Sequence, residues 1–361
     1  MEHQSVLVAM SGGVDSSVTA LLLRSRGLAC KGVTMRLFSE QDTDILPNLQ
    51  RSCARPEESE DARKIADGLE IPFEILDCSA EFRHNVIDYF IQTYIEGGTP
   101  NPCVECNRTM KFGLLYEVAK SKGCDAIATG HYARITRGEN GRYLLCKAAD
   151  PTKDQSYVLW SLTQEQLAHT IFPLGELTKS EVRAIAEENG FCNANRGDSQ
   201  DICFVPDGDY VSFIERATNQ SFPAGCFVDT EGRVLGEHKG LIRYTIGQRK
   251  GLGIAFGKPT YVCRKNIADN TIVLGSNEDL FSCELTAHGL NLISCDAISQ
   301  SMRVQAKVRY TASPAWATVE QTSPDTVKVV FDQPQRAISP GQSVVFYDGD
   351  IVVGGAIIDE R

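Results

Sequence analysis

A glycine-rich stretch near the amino terminus has the residue types of an anion-binding turn. The apolar run of residues 5–9 is too short for a helix and is typical of a strand buried on both faces. Ser11, Gly12 and Gly13 then break this pattern, and helical apolar spacing resumes at Val14. Glycines let backbone N–H groups approach a phosphate closely, and the positive end of a helix dipole favours negative charge there. The stretch therefore predicts a phosphate site between a strand and a helix.

This loop differs from a Walker A motif, because no lysine follows Gly13. Without that lysine it is poorly equipped for γ-phosphoryl transfer, but it can hold the pyrophosphate that leaves when ATP donates AMP. We expect Asp15 to meet a Mg²⁺ ion on those phosphates. We expect Ser11, Ser16 and Ser17 to donate hydroxyl hydrogen bonds at the same site.

Two segments carry cysteines in settings that suit sulfur chemistry. Residues 99–108 (TPNPCVECNR) begin with two prolines that fix the backbone, and a helix is expected to follow. Cys106 is therefore expected near a helix amino terminus, a location that favours the reactive thiolate. Cys203 lies in a polar loop over residues 197–204 (GDSQDICF). These flanking residues distinguish both cysteines from inert buried thiols.

The elements that must position these residues follow an alternating order over the first part of the chain. Strands are predicted at 30–37, 71–76 and 125–130, and helices at 58–69, 80–96, 110–122 and 178–190. This alternation predicts a doubly wound parallel sheet. Met35 and Gly130 come at the carboxyl ends of their strands, where open α/β sheets bind ligands. Residues 39–56 are polar and irregular, and are expected to form a mobile insertion.

The residue composition and the hydrophobic pattern change near residue 205. Gly, Pro and short alternating runs such as 304–310, 327–331 and 343–347 then dominate. Such runs, separated by Gly and Asp turns, indicate an all-β module of small-barrel type. We therefore expect a catalytic α/β domain at 1–210, a small central domain at 211–280 and a β-barrel at 281–361.

Composition narrows the class of protein further. The 361 residues are 42% hydrophobic and carry a net charge of −11, and no apolar run approaches membrane-spanning length. Thirteen cysteines without an export pattern are expected to be reduced thiols of a cytoplasmic protein with no membrane partner. Residues 239–265 carry seven Lys or Arg and no Asp or Glu, with three aromatics among them. Cations and aromatics so interleaved favour RNA binding, although an acidic protein is unsuited to indiscriminate nucleic-acid binding.

Several motifs occur in an order that resembles one known family. They are residues 11–16 (SGGVDS), 101–107 (NPCVECN), 130–132 (GHY), 153–157 (KDQSY), 199–204 (SQDICF) and 240–253 (GLIRYTIGQRKGLG). The first resembles the PP-loop of the ATP pyrophosphatase superfamily. Together, over essentially the whole chain, they resemble the tRNA-specific 2-thiouridylase family. That resemblance implies a PP-loop domain, a small central domain and a carboxyl-terminal β-barrel.

The resemblance also implies a reaction, in which ATP adenylates the C2 oxygen of the wobble uridine of certain tRNAs and sulfur replaces it. By position, the ATP site would comprise Ala9, Met10, Ser11, Gly12, Gly13, Val14, Asp15, Ser16, Met35 and Gly130. The tRNA contacts would comprise Asn101, Pro102, Cys103, His131, Lys153, Asp154, Gln155, Arg309, Tyr310 and Gln342. Cys203 would receive a persulfide from a sulfur-carrier protein or cysteine desulfurase. Cys106, the other catalytic thiol, would release the sulfur by forming a Cys106–Cys203 disulfide.

One position departs from the family pattern and leaves two chemistries open. Many members carry an aspartate, a proposed acid–base group, where this chain has Cys103. Cys103, Cys106 and Cys203 could instead hold three irons of a [4Fe–4S] cluster whose fourth iron binds sulfide. Two other functions also stay open at this point. One is a PP-loop enzyme that adenylates a small carboxylate or amide, and the other is a non-catalytic RNA-binding or iron–sulfur protein.

Overall fold

The computed structural model describes residues 4–39, 56–197, 202–254 and 257–360. The predicted insertion at 39–56 and the Ser199–Asp201 part of the predicted cysteine loop therefore lie almost wholly outside the described residues. The chain divides into two compact units. The first comprises residues 1–87, 102–209 and 350–352, and the second comprises residues 88–101, 210–349 and 353–361.

The first unit is built on a parallel sheet. Its elements in chain order begin with β1 (Ser5–Ala9), α1 (Val14–Ser25), β2 (Ala29–Arg36), α2 (Pro56–Gly68), β3 (Phe73–Asp77) and α3 (Ser79–Phe82). A π-helix (Arg83–Ile87) follows α3. After α5 (Pro102–Cys106), a second π-helix (Asn107–Leu114) leads into α6 (Leu115–Ser121) and β4 (Ala126–Ala128). The hairpin strands β5 (Arg134–Arg137) and β6 (Tyr143–Cys146), then α7 (Gln164–Ala168), β7 (Thr170–Ile171) and α8 (Lys179–Glu188), complete the unit.

The strand order is β3-β2-β1-β4-β7, and all four strand pairings in this sheet are parallel. The predicted doubly wound sheet is thereby confirmed. β2 and β3 are added on one side of β1, and β4 and β7 on the other. The strand order therefore reverses between β1 and β4, which is where open α/β sheets form ligand crevices. Val6 and Val8 of β1 are fully buried against Ala62, Ile65 and Ala66 of α2. This dense packing holds the loop after β1 at the crevice.

The second unit contains two β structures. Its elements are α4 (Asp88–Ile95), α9 (Tyr210–Thr218) and a four-stranded sheet of β8 (Gly225–Val228), β9 (Val234–His238), β10 (Tyr261–Asn266) and β11 (Thr271–Gly275). The strand order of that sheet is β10-β11-β8-β9. Phe227, Tyr244 and Val262 are the buried centre of its core.

The carboxyl-terminal structure is a closed antiparallel barrel of six strands. They are β12 (Phe281–Leu292), β13 (Met302–Lys307), β14 (Ala315–Gln321), β15 (Val327–Arg336), β16 (Ser343–Asp348) and β17 (Ile351–Glu360). Pairing of β12 with both β15 and β17 closes it. Inward side chains such as Val304, Val329 and Phe346 fill the interior. The predicted barrel is confirmed, and no helix in the described part of the chain is long and apolar enough to cross a bilayer.

Candidate active site

The glycine turn lies where strand β1 meets helix α1, at the crevice of the parallel sheet. β1 ends at Ala9, and Gly13 is the residue that caps α1. Gly12 has φ +78°, a left-handed conformation that only glycine adopts without strain. The first N–H groups of α1 have no partner within the helix, so they are available to an anion. The backbone therefore has the geometry that the sequence predicts for a phosphate site.

Side chains from distant parts of the first unit hold this turn in place. Asn193 Nδ2 donates to the Gly12 carbonyl oxygen at 2.7 Å and to Ser17 Oγ at 3.0 Å. Arg196 Nη1 also donates to the Gly12 oxygen at 3.1 Å, while its Nη2 donates to Asp61 Oδ2 at 2.6 Å. These two donors fix the carbonyl oxygen of Gly12 and thereby hold the conformation of the turn.

The serines of the turn bond mainly to the turn itself. Ser16 Oγ and Ser17 Oγ donate to the Gly13 carbonyl oxygen at 2.9 and 3.0 Å. The Ser11 N–H donates to Ser16 Oγ at 3.2 Å. These bonds shape the loop before any phosphate arrives. The expected hydrogen bonds from these hydroxyls to a phosphate remain a prediction, because here Ser16 and Ser17 donate to the Gly13 oxygen.

The remaining predicted nucleotide residues lie on the strands around the turn. Met10 is buried, and its N–H donates to the Val33 oxygen at 2.8 Å, which continues the β1–β2 ladder by one residue. Met35 is half-buried near the end of β2. A Cβ atom on Gly130 would lie 2.8 Å from the carbonyl carbon of Asp15. Only glycine lets the segment after β4 approach α1 this closely.

Asp15 has two partners that the sequence analysis did not identify. Lys179 Nζ donates to Asp15 Oδ1 and Oδ2 at 2.7 and 2.8 Å, across a separation of 164 residues. Tyr132 Oη donates to Asp15 Oδ1 at 2.8 Å. The glycine-rich loop contains no lysine of its own, but the fold places Lys179 beside it. The available signal was the capping box of Thr178 and Glu181, which fixes Lys179 at the first position of α8.

The helical segment that contains Cys106 begins earlier than the sequence analysis predicts. Helix α5 starts at Pro102, so Cys103 lies in its first turn and Cys106 is its last residue. The π-helix begins at the next residue, Asn107. Asn107 is buried, its Nδ2 donates to the Val158 oxygen at 2.9 Å, and its Oδ1 has no hydrogen-bond partner. Pro102 starts the helix because its missing N–H and fixed φ suit the first helical position.

Cys203 lies in the turn that follows the undescribed residues 198–201. The Val205 N–H donates to the Ile202 oxygen at 2.9 Å, and Phe204 is buried with its ring centre 5.9 Å from that of Phe82. This packing anchors the residue after the thiol. Cys203 itself is half-buried, as is Cys106, whereas Cys103 is exposed. Within the described residues, no group of three His, Cys, Asp or Glu side chains is placed to hold a metal ion, so these three cysteines form no ligand set here.

The predicted tRNA contacts of the first unit make intramolecular bonds. His131 is 6% exposed, and its Nδ1 shares a 2.7 Å hydrogen bond with Thr129 Oγ1. Burial, assisted by the charge of Lys111, holds the pKa of His131 well below its usual range, so the imidazole is neutral. Asp154 Oδ1 accepts from the N–H groups of Ala148 and Ser156, each at 3.1 Å.

Lys153 and Gln155 belong to the same loop as Asp154. Gln155 Oε1 accepts from the Tyr132 N–H at 2.9 Å, which links this loop to the residue that bonds to Asp15. The Lys153 N–H donates to the Asp150 oxygen at 3.2 Å. Tyr132 thus links this loop to the Asp15 carboxylate.

In the second unit, Gln342 touches the segment that precedes Asn101. Gln342 Nε2 donates to the Thr99 and Pro100 oxygens at 2.9 and 3.2 Å. Arg309 Nη1 donates to the Arg336 oxygen at 3.5 Å. Tyr310 is 43% exposed, and Lys307 Nζ lies 5.4 Å from its ring centre.

The basic segment over 239–265 is less uniform than the sequence suggests. Arg243 Nη2 forms a 2.5 Å ion pair with Glu215. The Lys265 ammonium is buried without a hydrogen-bond partner, and burial lowers its pKa to about 8. Tyr244 is buried, and Phe256 lies outside the described residues. Lys239, Arg249, Lys250, Lys258 and Arg264 are the cations that remain for a surface role.

Three family models match consecutive parts of the chain. They are the tRNA methyl transferase HUP domain at 4–207, the tRNA methyl transferase PRC-barrel domain at 211–276 and the aminomethyltransferase beta-barrel domain at 282–358. A protein of Clostridioides difficile named tRNA-specific 2-thiouridylase MnmA is 52% identical over 99% of both chains. A protein of the same name from Acetivibrio thermocellus is 50% identical over 99% of this chain and all of its own. The chain belongs to the tRNA-specific 2-thiouridylase family. A third relative, named tRNA-specific 2-thiouridylase MnmA 1, from Clostridium botulinum, is 49% identical over all of this chain and 99% of its own.

Membership of the 2-thiouridylase family confirms the resemblance that the motifs predict. The HUP match at 4–207 includes the glycine turn, Lys179, Cys106 and Cys203. The match at 211–276 includes the basic segment, and the match at 282–358 includes Arg309, Tyr310 and Gln342. Every predicted site residue therefore lies within a family match.

Proposed function

We propose that this protein is an ATP-dependent tRNA 2-thiouridylase, a sulfurtransferase that replaces the C2 oxygen of the wobble uridine by sulfur. The observation that carries the proposal is identity near one half to tRNA-specific 2-thiouridylases over the full length of the chain. The geometry supports it independently. A phosphate-binding turn and two half-buried cysteines occur together in the first unit.

The first step answers a chemical problem, because the oxygen of a pyrimidine carbonyl is a poor leaving group. In the proposed step, the C2 oxygen attacks the α-phosphorus of ATP and pyrophosphate departs. That oxygen then leaves later as part of AMP. The amide groups of the turn and the start of α1 stabilise the pyrophosphate charge that develops. Ala9 to Ser16, Met35 and Gly130 form the proposed ATP site.

The second step transfers sulfur with two thiols. The terminal sulfur of a Cys203 persulfide attacks C2. The Cys106 thiolate then attacks Cys203 Sγ and breaks the S–S bond, and that electron pair goes to the sulfur on C2 as AMP leaves. The products are 2-thiouridine, AMP and a Cys106–Cys203 disulfide, which a thiol reductant must reduce before the next cycle.

We prefer this route to one through an iron–sulfur cluster. The donor set required for a cluster, Cys103, Cys106 and Cys203, is not assembled among the described residues, whereas the persulfide route needs only two of these thiols. For Mg²⁺, the donor that fits is Asp15, whose side chain is 31% exposed at the turn. The ion would neutralise phosphate charge there.

The tRNA would be held mainly by the cations and aromatics of the second unit. Arg309, Tyr310, Gln342 and the basic segment are the proposed contacts, with His131, Lys153, Asp154 and Gln155 from the first unit. Asn101, Pro102 and Cys103 are proposed to meet the target base. We infer that a sulfur-carrier protein or cysteine desulfurase supplies the persulfide. We also infer a cytoplasmic location, because thirteen cysteines scattered along the chain suit a reducing compartment.

The proposal is tested by incubating the protein with ATP, Mg²⁺, unmodified tRNA and a sulfur source, followed by mass spectrometry of the nucleosides. We expect 2-thiouridine, and we expect none with Cys106→Ser or Cys203→Ser. Cys283→Ser, an exposed thiol of the barrel, is the matched control and should remain active. Turnover of ATP that neither cysteine variant changes would favour an enzyme that adenylates a small carboxylate or amide.

A further inference from the structure

The partly exposed Asp15 carboxylate and the buried Lys179 ammonium form an ion pair at the turn. Lys179 is 8% exposed, and its Nζ lies within 2.8 Å of both Asp15 oxygens. Its position is fixed at the backbone, because the Lys179 N–H donates to Asp150 Oδ2 at 3.1 Å. Asp150 is in turn held by Thr152, whose hydroxyl donates to Oδ1 at 2.6 Å. The backbone of Lys179 is therefore fixed by Asp150, and its ammonium is held by Asp15.

Lys179 and Arg196 are two described cations beside the turn, and they bind different partners. Both terminal nitrogens of Arg196 are engaged, one by the Gly12 oxygen and the other by Asp61. Arg196 thus holds the backbone of the loop. The Lys179 ammonium is bound to Asp15, the residue that fits Mg²⁺. A phosphate group that reaches the turn would compete with the Asp15 carboxylate for the ammonium, and a metal ion bound to Asp15 would weaken the attraction between the carboxylate and the lysine.

A displaced lysine would remain beside the phosphates. Lysine carries a compact charge on a flexible stem of four carbons, which can swing while the backbone stays fixed. A second positive charge at the turn would strengthen binding of the triphosphate and stabilise departing pyrophosphate. A Walker A loop obtains this charge from its own lysine, which this loop lacks.

We propose that Lys179 is the phosphate-binding cation of this site. It is neutralised by Asp15 when no nucleotide is bound, and it moves to the ATP phosphates when the nucleotide binds. This inference rests on the proposed use of ATP and adds a residue that the loop motif does not contain. Tyr132 would keep Asp15 oriented during the exchange, because its hydroxyl bonds to Oδ1 independently of the lysine.

The test is equilibrium binding of ATP and of AMP, measured by calorimetry in the presence of EDTA without Mg²⁺. Lys179→Met should weaken ATP binding by about ten-fold or more and change AMP binding by less than about two-fold, since AMP lacks the pyrophosphate. Asp15→Asn should tighten ATP binding, because it releases the ammonium from its carboxylate. Lys122→Met is the matched control and should change neither affinity, because that lysine pairs with Glu74 at 2.8 Å elsewhere in the unit.

A variant that misfolds must be separated from one that has lost a phosphate contact. Lys179→Met leaves Asp15 without its cation, whereas the double variant Asp15→Asn/Lys179→Met removes both charges and should fold normally by circular dichroism. We expect the double variant to bind ATP as weakly as Lys179→Met. Recovery of ATP affinity in the double variant would show that Lys179 only neutralises Asp15, and would overturn the inference. Failure of the unmodified protein to bind ATP would instead contradict the proposed function.

Discussion

The glycine turn provides a sharp test, because two glycines at opposite ends of α1 share one conformation and differ in their surroundings. Gly12 has φ +78° and Gly27 has φ +81°. A Cβ on Gly12 would lie 2.2 Å from the backbone oxygen of Glu58, whereas a Cβ on Gly27 would meet nothing within 4 Å. The variants Gly12→Ala and Gly27→Ala therefore share the conformational strain, and only the first adds a steric clash.

The expected magnitudes follow from these two contributions. An alanine in the left-handed region costs about 1–2 kcal/mol, and this is the whole effect expected for Gly27→Ala. At Gly12, the contact must also open from 2.2 Å to at least 3.0 Å against a backbone atom, which cannot rotate away. Overpacking of this kind costs about 1–3 kcal/mol more. Gly12→Ala should thus destabilise the first unit by about 2–5 kcal/mol.

Unfolding of the first unit can be followed separately. The chain has two tryptophans, and Trp160 is buried in the first unit while Trp316 is 51% exposed in the second. In a Trp316→Phe background, fluorescence during urea unfolding reports on Trp160 alone. We expect the midpoint for Gly12→Ala to fall by roughly 1–2 M, and that for Gly27→Ala by roughly half as much or less. Gly12→Ala should also lose ATP binding, and Gly27→Ala should retain it. Equal loss of stability in the two variants would refute the steric argument.

Three further outcomes are expected. The pKa of His131 is depressed on folding, so the unfolded chain binds the proton more readily and stability should fall as pH drops below about 6.5, by up to about 1.4 kcal/mol per pH unit. His131→Phe should flatten this dependence in urea unfolding followed by Trp160, and an unchanged slope would contradict it. The Lys265 pKa falls from 10.5 to about 8, so the stability of the unmodified protein should rise between pH 8 and 10.5. Lys265→Met should abolish that rise and add up to about 3 kcal/mol at pH 7, measured by urea unfolding, whereas a loss of stability would show that the ammonium has a partner. Gln342→Ala removes two bonds to the segment before Asn101 and should reduce tRNA thiolation without changing ATP affinity, whereas the control Gln333→Ala, at an exposed glutamine of the same barrel, should change neither.

The sequence predicts the parallel sheet well, because strands buried on both faces appear as short apolar runs. It predicts one helix at 80–96, but the structure has α3, a π-helix at Arg83–Ile87 and α4. A π-helix depends on a shift in backbone hydrogen bonding, which hydrophobic spacing does not reveal. The helix predicted at 110–122 begins instead at Pro102, since the polar residues after that proline hide the start of the apolar spacing.

Candidate residues next to one another in sequence are predicted more readily than those that meet in space. The glycine turn is contiguous, so its residue types alone indicate an anion site. Lys179 is 164 residues from Asp15, and only the packing of α8 beside α1 brings them together. The number of charged residues in a segment also does not show how many of them are available at the surface. Arg243 and Lys265 count toward a basic segment in sequence, but one is paired with an acid and the other is buried.

The central claim is that the turn serves to adenylate the C2 oxygen of a uridine so that sulfur can replace it. The most direct measurement uses tRNA whose wobble uridine carries a heavy oxygen isotope at O2, with ATP, Mg²⁺ and a sulfur source. The account predicts that the heavy oxygen appears in the phosphate of AMP, in an amount equal to the 2-thiouridine formed. Formation of 2-thiouridine with the label in water or inorganic phosphate, and none in AMP, would contradict it.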